Sequence, residues 1–187
     1  MLLLAFGNKA RHGKDTAGEA VVEHFITQRN MLNRHYGPKS ARPAAQLFKF
    51  ADALYKECRE LHGMTEKDSP LLQRVGSERR SENPRYWIDR AFEQVEKSKP
   101  DVAVFTDVRY QNEAAEVKAR GGFVINVSRL NPDGTPYVDS SRSATHASEI
   151  DLDGYLFDHY LKAYTGEVAL VQEQAITIAE YVKGLQS

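Results

Sequence analysis

Cys58 is the only cysteine in the chain, which excludes an intramolecular disulfide and a cysteine-held metal cluster. A lone thiol fits a reducing compartment. Long hydrophobic runs are missing too: no stretch approaches the roughly 18 apolar residues of a membrane span. The apolar start Met1 to Phe6 is too short for a signal-peptide core and lacks a basic leader, so a cytoplasmic protein is expected. Nor is there a surplus of either charge, with 25 Lys and Arg against 26 Asp and Glu. A non-specific DNA or RNA binder carries excess basic residues, so neither a nucleic-acid polymer nor a membrane is the expected partner. Internal repeats and low-complexity segments are absent. What is present is ordinary globular material: 187 residues, 41% hydrophobic and 27% charged. A chain of this length is expected to form one domain that buries about 70% of its unfolded surface.

The apolar pattern alternates between strand and helix signals. Leu2 to Phe6 is a short apolar run that stops at Gly7 and reads as a buried strand. Ala17, Ala20, Val21 and Phe25 recur at helical spacing, predicting a helix from Lys14 to about Arg29. Gly37, Pro38 and Pro43 make Asn30 to Ala45 a loop, followed by a strand at Gln46 to Phe50 and a helix at Ala51 to His62. Polar helices are expected near Pro70 to Ser77 and Arg85 to Lys97, then a buried strand at Asp101 to Asp107. Tyr110 to Arg120 reads as a helix stopped by Gly121-Gly122, and Phe123 to Ser128 as a strand. Leu130 to Thr145 is rich in Asn, Pro, Asp, Gly and Ser and reads as a loop or flap; a last strand within Tyr155 to Tyr164 and a closing helix at Glu167 to Leu185 complete the pattern. This alternation predicts an α/β fold with a mostly parallel central sheet and helices on both faces. Ligands of such sheets sit at the strand carboxyl ends, where Gly7-Asn8, Asp107 and Arg129 would converge.

The segment Gly7 to Thr16 joins the first strand to the first helix. A loop in that position aims backbone N–H groups at a polyphosphate, assisted by the positive end of the helix. Gly13 permits close backbone approach and Lys14 reaches the outer phosphates. Asn8, Ala10, Arg11, His12, Gly13, Lys14, Asp15 and Thr16 are therefore the candidate nucleotide-binding residues. Two positions depart from the usual phosphate-loop pattern. Asn8 stands where a glycine is usual, and Asp15 follows the lysine where a Ser or Thr normally holds Mg²⁺. The structural alternative is a Gly-Lys turn that caps a helix, with Asp15 near its positive end.

Several of these strings occur together in one known family. Lys9 to Thr16 resembles the phosphate loop of the phage deoxynucleoside monophosphate kinases. Phe50-Ala51-Asp52-Ala53-Leu54 with Lys56, Leu72 to Glu78, Trp87-Ile88, Thr106 to Glu113 with its Asp107-Val108-Arg109 core, and His146 to Glu149 resemble further segments of that family in the same order. The resemblance runs from Leu2 to about Tyr160. It implies a P-loop kinase three-layer fold in a single domain over 1–187, with a small mobile lid at about 129–146 and homodimerisation as an option. It also implies ATP and Mg²⁺ as cofactors and small-molecule nucleotides as substrates.

Phosphoryl transfer needs positioning and charge neutralisation more than a covalent nucleophile. On this reading Lys14, Arg109 and Arg129 are catalytic cations, and Asp107 organises the acceptor or a metal-bound water. Asp52, Arg74, Arg109, Asn112, Arg129 and His146 are candidate substrate contacts, with Arg74 and Arg129 resting mainly on the resemblance. Thr16 and Asp107 are the candidate metal residues, Asp107 through water. Plainer roles stand beside these: Asp107 in a buried Asp–Arg pair, Asp52 as a helix cap, His146 in a structural hydrogen-bonding patch, Trp87 and Tyr110 as core, Arg142 as a solvated loop residue instead of a lid arginine. The expected activity is transfer of the ATP γ-phosphoryl to a (deoxy)nucleoside monophosphate. A kinase of another phosphorylated metabolite such as phosphomevalonate or dephospho-coenzyme A, a nucleotide-hydrolysing switch, and a non-catalytic nucleotide-binding module remain alternatives.

Overall fold

The computed structural model describes residues 1–38, 40–140 and 145–186. Among them run five strands: β1 (Leu2–Gly7), β2 (Ala45–Phe48), β3 (Val102–Val108), β4 (Phe123–Leu130) and β5 (His159–Tyr164). The helices are α1 (Lys14–Tyr36), α2 (Ala51–His62), α3 (Ser69–Glu82), α4 (Tyr86–Ser98), α5 (Gln111–Ala119), α6 (Ala147–Ile150) and α7 (Val168–Leu185). The strands pair in the order β2-β3-β1-β4-β5, and every pairing is parallel. Leu4 of β1 stands opposite Val104 of β3 on one side and Phe123 of β4 on the other. The sheet is thus wholly parallel, where a mostly parallel one was expected, and all five carboxyl ends meet at one edge.

A parallel sheet must be covered on both faces, and the side chains divide accordingly. Leu2, Leu4 and Phe6 pack with Val21 and Phe25 of α1 and with Val171, Ala175 and Val182 of α7. Leu3 and Ala5 face the other way, with Phe105 of β3, onto Ile88 and Phe92 of α4 and Ala114 and Val117 of α5. A third cluster, Leu54, Cys58, Leu72, Val75 and Trp87, joins α2, α3 and the start of α4. The result is a three-layer α/β arrangement. No helix among the described residues is long and apolar enough to cross a membrane.

β1 connects through α1 to β2, stepping over β3, whereas β3 connects through α5 to β4, stepping over β1. The two exits leave neighbouring strand ends on opposite faces. That divergence opens the crevice in which open α/β sheets hold ligands.

Some boundaries differ from the sequence reading for identifiable reasons. α1 continues to Tyr36 instead of ending near Arg29, because Gly37, at φ 75°, is the stop itself. Its last turns carry exposed Met31, Leu32 and Tyr36, so the buried periodicity that marked the helix ends at Phe25 although the helix does not. β5 starts only at His159, and the single turn α6 was not anticipated. Within the expected lid at 129–146, β4 runs on to Leu130, and residues 141–144, including Arg142, lie outside the described residues.

Gly18 lets α1 lie close against the sheet: a methyl there would run into Thr106 Cγ2 and come within 3.2 Å of Leu47 Cδ2. Overpacking of this kind costs about 1–3 kcal/mol. We expect Gly18→Ala to lower the melting temperature by about 2–4 °C for each kcal/mol lost. Thermal unfolding followed by circular dichroism checks this, and an unchanged midpoint contradicts the close approach.

Candidate functional site

The chain leaves β1 through a loop that needs unusual backbone. Asn8, Arg11 and Gly13 take φ values of 130°, 57° and 94°. Glycine accepts this freely, but a non-glycine residue in such a region costs of order 1–3 kcal/mol, so neighbours must hold it there. Asn8 is held by its own amide, which donates to the Val127 carbonyl at 3.0 Å and to Ser128 Oγ at 3.3 Å at the end of β4. Gly13 caps α1, and the first helical bond runs from Ala17 N–H to the Gly13 carbonyl at 2.9 Å. The amides of Lys14, Asp15 and Thr16 precede that bond and point out of the helix start, which makes a positive cradle.

Lys14 lies inside this loop and is only 5% exposed. Its ammonium donates to the Lys9 carbonyl, closing the loop on itself. Burial first, and then the charge of Arg109, pull its pKa down to about 7. Asp15 turns away from the cradle: its carboxylate accepts from Thr106 Oγ1 at 2.8 Å and pairs with Lys49 Nζ at 2.7 Å. Burial opposes ionisation of Asp15, but the bonds from Lys49 and Thr106 outweigh it and hold the pKa below the usual carboxylate range. His12 is buried; Nδ1 accepts the Arg129 N–H at 3.2 Å and Nε2 lies 3.2 Å from the Tyr137 carbonyl. That pattern assigns the neutral ring with its proton on Nε2, in keeping with a pKa lowered by burial and by Lys14.

The end of β3 supplies the other half. Asp107 spends both carboxylate oxygens on backbone, accepting from Phe50 N–H and Ala51 N–H at 2.9 Å each. It thereby anchors the start of α2, and burial raises its pKa despite those bonds. Arg109 donates through Nη1 to Glu149 Oε1 at 2.7 Å, and Glu149 Oε2 accepts the Ala10 N–H of the loop at 3.0 Å. Glu113, 3% exposed, accepts the backbone N–H of Arg109 at 2.9 Å and of Tyr110 at 3.2 Å. Burial, followed by the Asp107 charge, lifts its pKa to about 8. The exposed pair Lys9–Asp153 at 3.0 Å adds about 0–1 kcal/mol. The Arg109–Glu149 pair, with side chains 20% and 8% exposed, is more sheltered, so removing one member is a larger event.

Two recesses flank these groups. One, of about 270 Å³, is lined by Arg11, Gly13, Thr16 and Arg129 on one side and by Thr165 and Gly166 of the β5–α7 loop on the other. Arg129 is fixed there by a bond to Thr165 Oγ1 at 2.9 Å and by its guanidinium lying 3.8 Å over the Tyr137 ring. The second, of about 430 Å³, is lined by Arg80, Pro84, Tyr110, Gln111, Asn112 and Asp151.

The chain matches no protein-family model and no curated protein. The likeness to phage kinases therefore rests on the motif residues alone.

Asp15, Asp107 and Arg109 each act electrostatically on the Lys14 ammonium. Arg129 stands apart from Arg109, on the β5 side of the loop, and Thr16 lines the same recess as Arg129. Asn112 donates to the Pro84 carbonyl at 2.9 Å at the second recess. Asp52 is exposed in the first turn of α2, where its charge acts on Lys49. Arg74 pairs with Glu78 on its own helix at 3.3 Å and, among the described residues, has no bond to the loop. His146 caps α6, its Nδ1 accepting from Ser148 N–H at 3.2 Å, which is the structural role. Trp87 is core, donating to the Gly76 carbonyl at 3.2 Å, and Tyr110 lies beneath the Arg80 guanidinium.

Residues not anticipated at the site are Lys49, Thr106, Glu113 and Arg80. Lys49 and Thr106 had one sequence signal, their place at strand ends; Glu113 had its place as third residue of a helix, where a carboxylate reaches back to the cap. Glu149 lay within a string read as a polar patch, and nothing in the string tells which polar member reaches the loop.

Buried Lys14 gives a pH signature. Below about pH 7 it is charged in both folded and unfolded chains, and the folded state bears the full burial cost. Between about 7 and the unfolded value of 10.5 only the unfolded chain binds the proton, so this contribution to stability improves as pH rises. We expect Lys14→Met to raise the melting temperature by about 5 °C at pH 6 and by progressively less toward pH 10. Melting curves across that range check it; an equal shift at both ends contradicts it.

Proposed function

We propose that the chain is an ATP- and Mg²⁺-dependent phosphotransferase that converts a (deoxy)nucleoside monophosphate to the diphosphate. The observation that carries this reading is Lys14. Its ammonium is buried at the head of a helix and hydrogen-bonded to its own loop, beside outward-facing amides. A buried cation short of counter-charge is costly, and a bound polyphosphate supplies that charge. The nearby carboxylates are largely engaged by backbone N–H groups, which lessens their competition with such an anion.

Each part has a role in the reaction. The loop amides and Lys14 hold the donor phosphates, and the recess at Arg129, Thr165 and Gly166 offers room for the nucleoside of ATP. The second recess, with Arg80, Tyr110 and Asn112, suits the acceptor, with Arg109 between acceptor phosphate and donor. An acceptor phosphate oxygen attacks the γ-phosphorus as the bond to the ADP oxygen breaks. The nucleophile is already anionic, so no general base is needed. Lys14 and Arg109 neutralise charge on the transferring group.

Mg²⁺ binds through one or two carboxylates together with substrate phosphates and waters, and does not need an all-protein cage. Among the described residues no group of three His, Cys, Asp or Glu side chains forms such a cage. Asp107, whose two oxygens already accept backbone N–H groups, would meet the nucleotide-borne ion through water, and Thr16 would offer a hydroxyl. When bound, the ion neutralises the donor's outer phosphate oxygens.

An assay of ADP release with ATP and Mg²⁺, run with each nucleoside and deoxynucleoside monophosphate in turn, tests the reading. We expect at least one monophosphate to stimulate ADP formation, and Lys14→Ala to reduce it by about 100-fold or more. If no monophosphate stimulates turnover, the monophosphate-kinase reading fails.

A further inference from the structure

The loop after β1 and the loop after β3 are separate chain segments, yet one side chain touches both. Glu149 accepts the Ala10 N–H at 3.0 Å through Oε2 and the Arg109 guanidinium at 2.7 Å through Oε1. It is 9% exposed, so water offers little substitute for either bond. Its short helix is itself anchored. Asp151 accepts the Gln111 N–H at 2.6 Å at the head of α5, and Leu152 lies in the apolar cluster with Val108 and Ala114. The carboxylate is thus presented from a fixed platform.

We propose that Glu149 is a positioning residue that couples the donor loop to Arg109, so that the two halves of the transfer site share one geometry. This rests on the phosphotransferase reading. Arg109 is gripped at both ends: Glu113 takes its backbone N–H at 2.9 Å, and Glu149 takes Nη1. A guanidinium has five N–H donors, and the Glu149 bond engages Arg109 at Nη1 only. The ion pair therefore aims the arginine without exhausting it. At Ala10 the same carboxylate holds the loop backbone one residue before Arg11, which sits at positive φ. Loss of Glu149 frees the loop and the arginine to shift independently, and a misplacement of about 1 Å costs roughly 100-fold in rate.

The test uses the full chain with two substitutions. Glu149→Gln removes the charge at nearly constant shape; Glu149→Asp keeps the charge and shortens the reach. We expect both to reduce kcat by about 10- to 100-fold, with KM for ATP and for the monophosphate, and the Kd for inorganic tripolyphosphate, within about threefold. A kcat within threefold of wild type in the folded variants overturns the proposal, as does a defect confined to KM. Tighter tripolyphosphate binding with unchanged kcat also overturns it, since Glu149 would then act as a blocking anion. A readout independent of turnover is the nitrogen-15 spectrum. We expect the Ala10 amide and Arg109 Nε–H resonances to move together in Glu149→Asp while the Lys14 and Thr16 amides stay in place. Joint movement in Glu149→Asp, with a wild-type chain that lacks turnover, preserves the linkage and removes only the kinase reading; no joint movement removes the linkage itself.

Discussion

Two basic side chains, Lys14 and Arg109, are brought close together at the carboxyl edge of a parallel sheet, and the surrounding structure is arranged around them. Lys14 is reached through a loop that departs from ordinary backbone at three residues and is bolted to β4 by Asn8. Arg109 leaves the end of β3 with its backbone and its guanidinium each held by a glutamate. The field of Arg109, added to burial, lowers the Lys14 pKa to about 7. On the proposed function, an arriving phosphate would relieve the repulsion between Lys14 and Arg109.

Acidic residues so near the proposed anion site look contradictory until their partners are considered. Asp107 takes the amides of Phe50 and Ala51, Glu113 those of Arg109 and Tyr110, Glu149 that of Ala10, and Asp151 that of Gln111. These carboxylates bind backbone at the very segments that surround the crevice. They fix the loops after β1 and β3 and the start of α2 relative to one another, as the proposed transfer reaction would require. Asp15 differs: it is paired with Lys49 and Thr106 instead of amides.

The layers were legible in the sequence because buried parallel strands read as unbroken apolar runs, as Leu2 to Phe6 and Val102 to Phe105 do. The end of α1 was not, since Met31, Leu32 and Tyr36 are exposed and leave no buried periodicity to follow. Strand order is likewise invisible to local pattern: that β1 lies between β3 and β4 depends on crossovers, not on any single segment. At the site, residues in the loop itself could be read from their spacing. Side chains that reach the loop from far along the chain could not. Glu149 is 139 residues from Ala10, and the segment that carries it is tied to the head of α5 through Asp151. Arg74 shows the converse, a residue selected for its type and string that faces Glu78 on its own helix.

The central claim is that the loop around Lys14 is a polyphosphate cradle. Calorimetric titration with inorganic tripolyphosphate at pH 8, repeated in buffers of different ionisation enthalpy, tests it most directly. With a free-state pKa of about 7, Lys14 is mostly neutral at that pH and must become charged when phosphates bind beside it. The account predicts one-to-one binding accompanied by uptake of roughly one proton, both lost in Lys14→Ala. Absence of binding, or binding with no proton uptake that survives in the variant, would contradict it.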